Sequence, residues 1–115
     1  RGGLGMSLSF VRVRNMDERL IKQWEVTGRL LRDAATELSG DPIEDFEDYL
    51  AHNEMGLALG ALIGEGSERE PPPSSSFWRL LRQAADVMGL AKHRNDLRHH
   101  FRTALARESI SAPRT

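Results

Sequence analysis

Cysteine is absent from the chain, which excludes disulfides, thiol nucleophiles and thiolate metal sites. That composition suits a reducing, cytoplasmic setting. Long apolar runs are missing too: no stretch reaches the ~18 residues of a transmembrane helix, and no signal-peptide core occurs. Charge of one sign is not in excess, since the formal net charge of −1 gives no overall pull toward nucleic acid or a membrane. Aromatic residues are few, at 6% with a single tyrosine. No Gly-rich phosphate loop, nucleophile elbow or His-Glu-x-x-His pattern is found.

What remains is an ordinary globular balance of 39% hydrophobic and 29% charged residues over 115 positions. Such a length fits one domain, which most often holds roughly 100–150 residues, and one core without a metal or disulfide staple. Arg1–Gly5 reads as a lead ahead of a natural start at Met6. Ser7–Arg14 alternates weakly through Leu8, Phe10, Val11 and Val13, which predicts a short extended arm over 1–14.

Helical signals follow. Asn15 and Glu18 form a capping-box pattern, and Leu20, Ile21, Trp24, Leu31, Ala34, Ala35 and Leu38 recur at helical spacing. Gly28 inside that run suggests close helix packing, and Ser39-Gly40 closes the helix. A second helix starts at Asp41-Pro42-Ile43-Glu44, with an N-cap acid and a first-turn proline. Its apolar stripe is Ile43, Phe46 and Leu50 with Tyr49, while Glu44, Asp45, Glu47 and Asp48 lie off it. His52-Asn53 breaks the helix, and Asn53 is placed to cap a third one from Glu54 to about Ile63. That third helix is apolar nearly all round, so it is predicted to be the most buried.

Gly64–Ser76 reads as a solvated loop, since consecutive prolines forbid helix. A fourth helix starts with Ser75 or Ser76 as its cap, carries Phe77, Leu80, Leu81, Ala84, Ala85 and Met88 inward, and stops at Gly89. Leu90, Leu97, Phe101 and Leu105 support a fifth, polar helix. The resulting expectation is an all-α fold: a small helical bundle of four to five helices with a short N-terminal extended arm. Its parts are an arm over 1–14, a bundle over 15–107 with a loop at 64–76, and a disordered tail over 108–115.

Chemistry is scarce. His93, Asp96 and His100 would share one face of a regular helix and could in principle hold Zn²⁺ or iron. The cations between them disfavour a metal, so a solvated polar face is the weightier reading. Paired acids among Glu44, Asp45, Glu47 and Asp48 could act as acid and base in a pocket, but at the first turns of a helix they more simply complement its dipole. The basic stretch Lys92–Arg102 could grip phosphates through Arg94, Arg98 and Arg102, yet it lacks interleaved aromatics for stacking on bases. Trp24 and Trp78 sit in apolar stripes, as core residues do, and Pro71–Pro73 are too few to specify a polyproline ligand. No catalytic residue, metal, cofactor or small-molecule substrate emerges.

The charge distribution is more informative. Asp41–Glu54 holds six carboxylates and no Lys or Arg, whereas Lys92–Arg102 holds four cations, three histidines and one Asp. Segregation of this kind is a partner-binding or solubility feature.

The run Asp45-Phe46-Glu47-Asp48-Tyr49-Leu50-Ala51-His52-Asn53-Glu54-Met55-Gly56-Leu57-Ala58-Leu59 resembles the signature region of the MafI-type immunity proteins. In these small bacterial proteins an acidic amphipathic helix runs into an (H/N)-E-x-G-L-A-L-type turn and helix. The resemblance is sharpest over Asp41–Ile63 and extends loosely through Phe77–Leu90, about half the chain. It departs in the Pro/Ser loop, the N-terminal arm and the basic C-terminal helix. The resemblance implies neutralisation of a cognate bacterial toxin, often a nuclease, by covering its active site. An acidic helix complements a basic nuclease groove, and the residues placed to bind are Asp45, Asp48, Tyr49, His52 and Glu54. The competing class is a small nucleic-acid-binding accessory using the basic C-terminal helix.

Overall fold

Every element in the computed structural model of the chain is helical: α1 Gly2–Thr36, α2 Glu44–Ala51, α3 Met55–Glu68, α4 Ser75–Met88, a 3₁₀ turn Ala91–His93, and α5 Arg94–Ser111. The structure describes the backbone of residues 2–38 and 43–111 and the side chains of residues 18–38 and 43–110. The all-α bundle predicted from periodicity is what forms, with no strand among the described residues. No described helix is long and apolar enough to cross a membrane.

α4 is the central helix, packed on α1 and α5 along its length and on α3 near its start. Its inward stripe of Phe77, Trp78, Leu81, Ala84 and Ala85 is buried, and it meets Leu31 and Ala34 of α1, Leu59 and Leu62 of α3, and Leu97 and Ala104 of α5 in one core. The α4 N-terminus is held from both sides. Its N-cap is Ser74, one residue ahead of the Ser75 or Ser76 expected from the sequence, and the Ser74 hydroxyl accepts from the Phe77 N–H. Glu37, in the turn that ends α1, accepts from the Ser74 and Ser76 hydroxyls at 2.8 and 2.7 Å. Glu108 of α5 accepts from the Ser75 N–H and hydroxyl, both at 2.7 Å. These bonds, together with the nearby Arg107, hold the Glu108 carboxyl below its ordinary value. A carboxylate against the orphan N–H groups of a helix start is favourable for the same electrostatic reason.

Two turns share one geometry. α2 ends with Asn53 in the left-handed region (φ 57°), the Glu54 N–H donating to the Tyr49 carbonyl at 2.8 Å and the Asn53 N–H to the Leu50 carbonyl at 3.1 Å. α4 ends the same way on Gly89 (φ 67°), with the Leu90 N–H donating to Ala85 at 2.9 Å and the Gly89 N–H to Asp86 at 3.2 Å. Both are Schellman motifs, which need a residue that tolerates positive φ. Asn53 therefore closes α2 rather than capping α3, whose N-cap is Glu54 without a side-chain bond.

Several sequence expectations are corrected. The extended arm over 1–14 is replaced by helix from Gly2. The alternation of Leu8, Phe10, Val11 and Val13 was one reading of residues that also carry a helical series. Met6, Phe10, Val13, Met16 and Leu20 step by three or four into Trp24, Thr27, Leu31 and Ala34. Asn15 consequently lies inside α1, where it starts nothing. The loop over 64–76 shrinks to 69–74 because α3 continues to Glu68. Helix likewise persists through Ser111 where a disordered tail over 108–115 was predicted, and residues 112–115 lie outside the described ones. The Asp41 cap, the Pro42 first turn and the Ser39-Gly40 stop also lie outside them.

Gly66 explains the longer α3. It is buried, and a Cβ placed there would lie 2.6 Å from Phe77 Cε2 and 3.0 Å from Trp78 Cη2. The glycine is thus a contact surface for α4 rather than a helix breaker. Gly28, in contrast, would place a Cβ at an ordinary 3.9 Å from Met55 Cε, so it is not what sets helix spacing. Replacing a mid-helix glycine by alanine ordinarily stabilises a protein by about 0.5–1 kcal/mol. Gly60→Ala, with nothing within 4 Å of the new Cβ, is expected to follow that rule and raise the melting temperature. Gly66→Ala is expected to lose about 1–3 kcal/mol by overpacking, because Phe77 and Trp78 are too deeply buried to yield. Thermal melts of the two variants check this, and shifts of the same sign would show that the ring contact does not set the α3–α4 spacing.

Candidate interaction surface

The α2–α3 hairpin carries the surface of interest. α2 has only eight residues, too short to be stable alone, and it is anchored by Phe46 and Leu50 in the core. With that stripe facing inward, Glu44, Asp45, Glu47 and Asp48 are exposed on the remaining surface. The first three lie in the first turn of the helix, where negative charge complements the dipole.

The five residues singled out from the sequence divide between two faces. Asp45 and Tyr49, one turn apart, border a groove of about 420 Å³ together with Gly56, Leu57, Gly60 and Ala61 of α3 and Lys92 and His93 of the 3₁₀ turn. Tyr49 is half-buried there, whereas Asp45 is exposed. Asp48, His52 and Glu54 lie at the α2–α3 junction, and all three are exposed. The His52 Nδ1–H donates to the Asp48 carbonyl at 2.9 Å, and the Asp48 carboxylate lies 3.7 Å from the same nitrogen. That carbonyl first, then the charges of Asp48 and Glu54, raise the His52 imidazole above its ordinary value. Glu47 is drawn to the other side of α2, where it pairs with Arg32 of α1 at 3.1 Å.

α3 was predicted to be the most buried helix, but one of its sides is open. Met55, Ala58, Leu59, Leu62 and Gly66 are buried, but Leu57 is 52% exposed. A Cβ at Gly56, Gly60 or Gly64 would meet nothing within 4 Å. These glycines are four residues apart and form a bare stripe beside Leu57 and Ala61. Among the described residues no second helix covers this side of α3. Leu57 and Lys92 therefore join the candidate surface although sequence reasoning passed them over. The readable signal was the i, i+4, i+8 glycine series, which offers a core no side chains to bury.

Other candidates come apart in three dimensions. The 3₁₀ turn at Ala91–His93 separates His93 from the regular helix that carries Asp96 and His100 on one face. His93 borders the α3 groove, and His100 stacks on Trp78 with centroids 4.2 Å apart and planes at 11°. Burial holds the His100 imidazole below its ordinary value, against the opposing charge of Asp96. Among the described residues no three His, Asp or Glu side chains come close enough to hold a metal ion. Trp78 is 2% exposed and so belongs to the core. Trp24 is half-buried beside a larger crevice of about 800 Å³ between α1 and the hairpin, which also holds Arg29, Arg32 and Met55. Two arginines make that crevice a poor complement to a basic partner.

On α5, Arg94, Arg98 and Arg102 are exposed at four-residue spacing. Arg94 lies 3.5 Å from Asp86. No protein-family model, curated protein or solved structure matches the chain.

His52 offers a direct check of the electrostatics at the hairpin. Its raised value means that the charged form is favoured in the fold. The associated stability is present below the unfolded value of about 6.5 and is lost as pH rises through the folded value. Its exposure keeps that stability small. A titration followed by NMR is expected to place His52 above the unfolded value in the native chain. In Asp48→Asn the value is expected to fall but to stay raised, because the backbone carbonyl remains. A return to the unfolded value in that variant would show that the carboxylate alone is responsible.

Proposed function

We propose that the chain is an immunity protein of the MafI type, which binds a cognate bacterial toxin domain in the cytoplasm and covers its active site. In this reading it is not an enzyme and uses no cofactor or small-molecule substrate. One observation carries the proposal: exposed carboxylates on α2 sit beside a half-buried Tyr49 and the exposed apolar strip of α3. This is the make-up of a docking surface, in which charge selects the partner and a few apolar or aromatic anchors hold it.

A toxin that cleaves nucleic acid has a cationic groove for phosphates, and Asp45 and Asp48 are of the sign to enter it. Tyr49 supplies a large, rigid side chain with a polar tip, the type enriched among interface anchors. His52 and Glu54 lie with Asp48 at the α2–α3 junction, and protonation of His52 makes that side less negative. Binding to a basic partner therefore weakens as pH falls through the raised His52 value.

A second reading is supported by the exposed row on α5, where Arg98 and Arg102 form no ion pair among the described residues. It assigns the chain to nucleic-acid binding through α5. Salt-dependent affinity for DNA or RNA would be its mark, lost when Arg94, Arg98 and Arg102 are replaced together.

The two readings separate in one calorimetric series on the purified chain. The probes are the toxin domain encoded beside its gene and a DNA duplex. The immunity reading expects tight, salt-sensitive binding to the toxin domain and loss of toxin activity in the complex. Asp45→Lys with Asp48→Lys is expected to weaken that binding at least about tenfold, or about 1.4 kcal/mol, with unchanged thermal melts. Tyr49→Ala is expected to cost more than about 1 kcal/mol. Undiminished affinity after both charge reversals would sink the assignment of the acidic face. Binding to the duplex alone would favour α5.

A further inference from the structure

The α3 groove has one acidic wall and one basic wall, and no ion pair joins them within one chain. Asp45 stands on the α2 side and Lys92, with His93, on the side of the 3₁₀ turn. Between them run Gly56, Leu57, Gly60 and Ala61, with Leu57 52% exposed. A partner that fills this groove must be apolar along its middle, cationic on one flank and anionic on the other. The chain's own α3 face has that composition.

We propose that a second copy of the chain docks on this face, with α3 of the two copies packed in parallel across a two-fold axis along the helix pair. The orientation follows from charge. A two-fold axis lies in the plane of the interface, and the same patch meets itself. If the helices ran antiparallel, Asp45 would oppose Asp45 and Lys92 would oppose Lys92. Run in parallel, the pair sets Asp45 of each copy against Lys92 of the other. The bare positions at Gly56 and Gly60 let the two backbones approach closely, and Leu57 of each copy fills the space beside them. One helix face is smaller than the ~800 Å² per partner of a standard interface, so the dimer is weak and depends on concentration.

This pairing stands independently of the toxin reading, though it occupies Asp45 and Tyr49 and so competes with a partner bound there. Lys92 borders the same groove, and replacing it removes a positive charge that would repel a basic toxin. Lys92→Asp is expected to abolish pairing between copies without lowering affinity for a basic toxin domain, so that the two readings fail separately.

Sedimentation velocity on the full chain from about 1 to 200 µM, a range that spans weak to moderate affinities, tests the proposal. The native chain is expected to pass from monomer to dimer within it. Asp45→Lys and Lys92→Asp, each alone, are expected to remain monomeric. An equimolar mixture of the two is expected to form a heterodimer, because each reversed charge then meets its opposite on the other chain. An exchange within one chain could not produce that rescue. Gly60→Arg is expected to remove the dimer without lowering the melting temperature, since its Cβ enters open space. A native chain that stays monomeric throughout would overturn the proposal. So would a dimer indifferent to both charge reversals, or a mixture that stays monomeric.

Discussion

Phe77 and Trp78 enter the bundle against a helix that presents no side chain to them at Gly66, and the positions of α3, α4 and α5 follow from that contact. The rings meet edge to face with centroids 4.8 Å apart and planes at 80°, an arrangement favoured by their quadrupoles. Trp78 turns its other surface to His100 of α5. One residue pair thus touches α3 through a missing side chain and α5 through a stacked ring. The serines just ahead of the pair complete the joint, since Glu37 and Glu108 reach them from the end of α1 and from α5. Polar bonds at exposed positions add little net stability individually. Their effect is to fix where α4 begins, and so the depth at which its aromatic pair enters the core.

The cost of centring the bundle on α4 falls on α3. A 14-residue helix that uses Ala58, Leu59, Leu62 and Gly66 for the core needs another element to cover its far side. Among the described residues that side is bordered by the short 3₁₀ turn and by α2, a short helix whose apolar residues are already committed to the core. The far side of α3 is therefore left with glycine and alanine, which expose little apolar area, and with Leu57, which exposes more. Charged residues border the strip on both sides. The uncovered face follows from the helix lengths, and the charges along it decide what can approach.

Elements whose signals are local were legible in the sequence. α4 could be read from its serines, its apolar stripe and Gly89, and α2 from its stripe and the His52-Asn53 break. Misreadings came where one residue type serves two physical ends. Gly64 and Gly66 look like helix breakers, yet Gly66 is a packing surface whose partner lies eleven residues on and is invisible to local pattern. Asn53 looks like an N-cap, yet its positive φ makes it the end of α2. Alternation in 7–14 fits two periods over so short a window, and only continuity with Leu20 and Trp24 favours the helix. The His93, Asp96 and His100 trio assumed a regular helix that the 3₁₀ turn interrupts. For the candidate surface, the acids and Tyr49 were readable by type. Leu57 and Lys92 were not, because they meet Tyr49 only through tertiary packing.

A net charge of −1 conceals this segregation, and in the proposed docking role the segregation is what makes the surface selective. A wholly acidic face would attract any cationic protein, with association rates set by charge alone. Lys92 at the opposite edge changes that condition, since a uniformly basic partner approaching the groove would meet repulsion there. Only a partner with unlike charges on its two flanks satisfies both walls, and rejection of the others is a contribution to specificity in its own right. Glu47 shows the same economy from the other direction. Its pairing with Arg32 withdraws one carboxylate from the docking side, so the negative charge offered to a partner is concentrated at Asp45 and Asp48. With Tyr49 next to Asp48 in sequence and half-buried in the groove beside Asp45, apolar anchoring and charge selection lie within about one turn of α2.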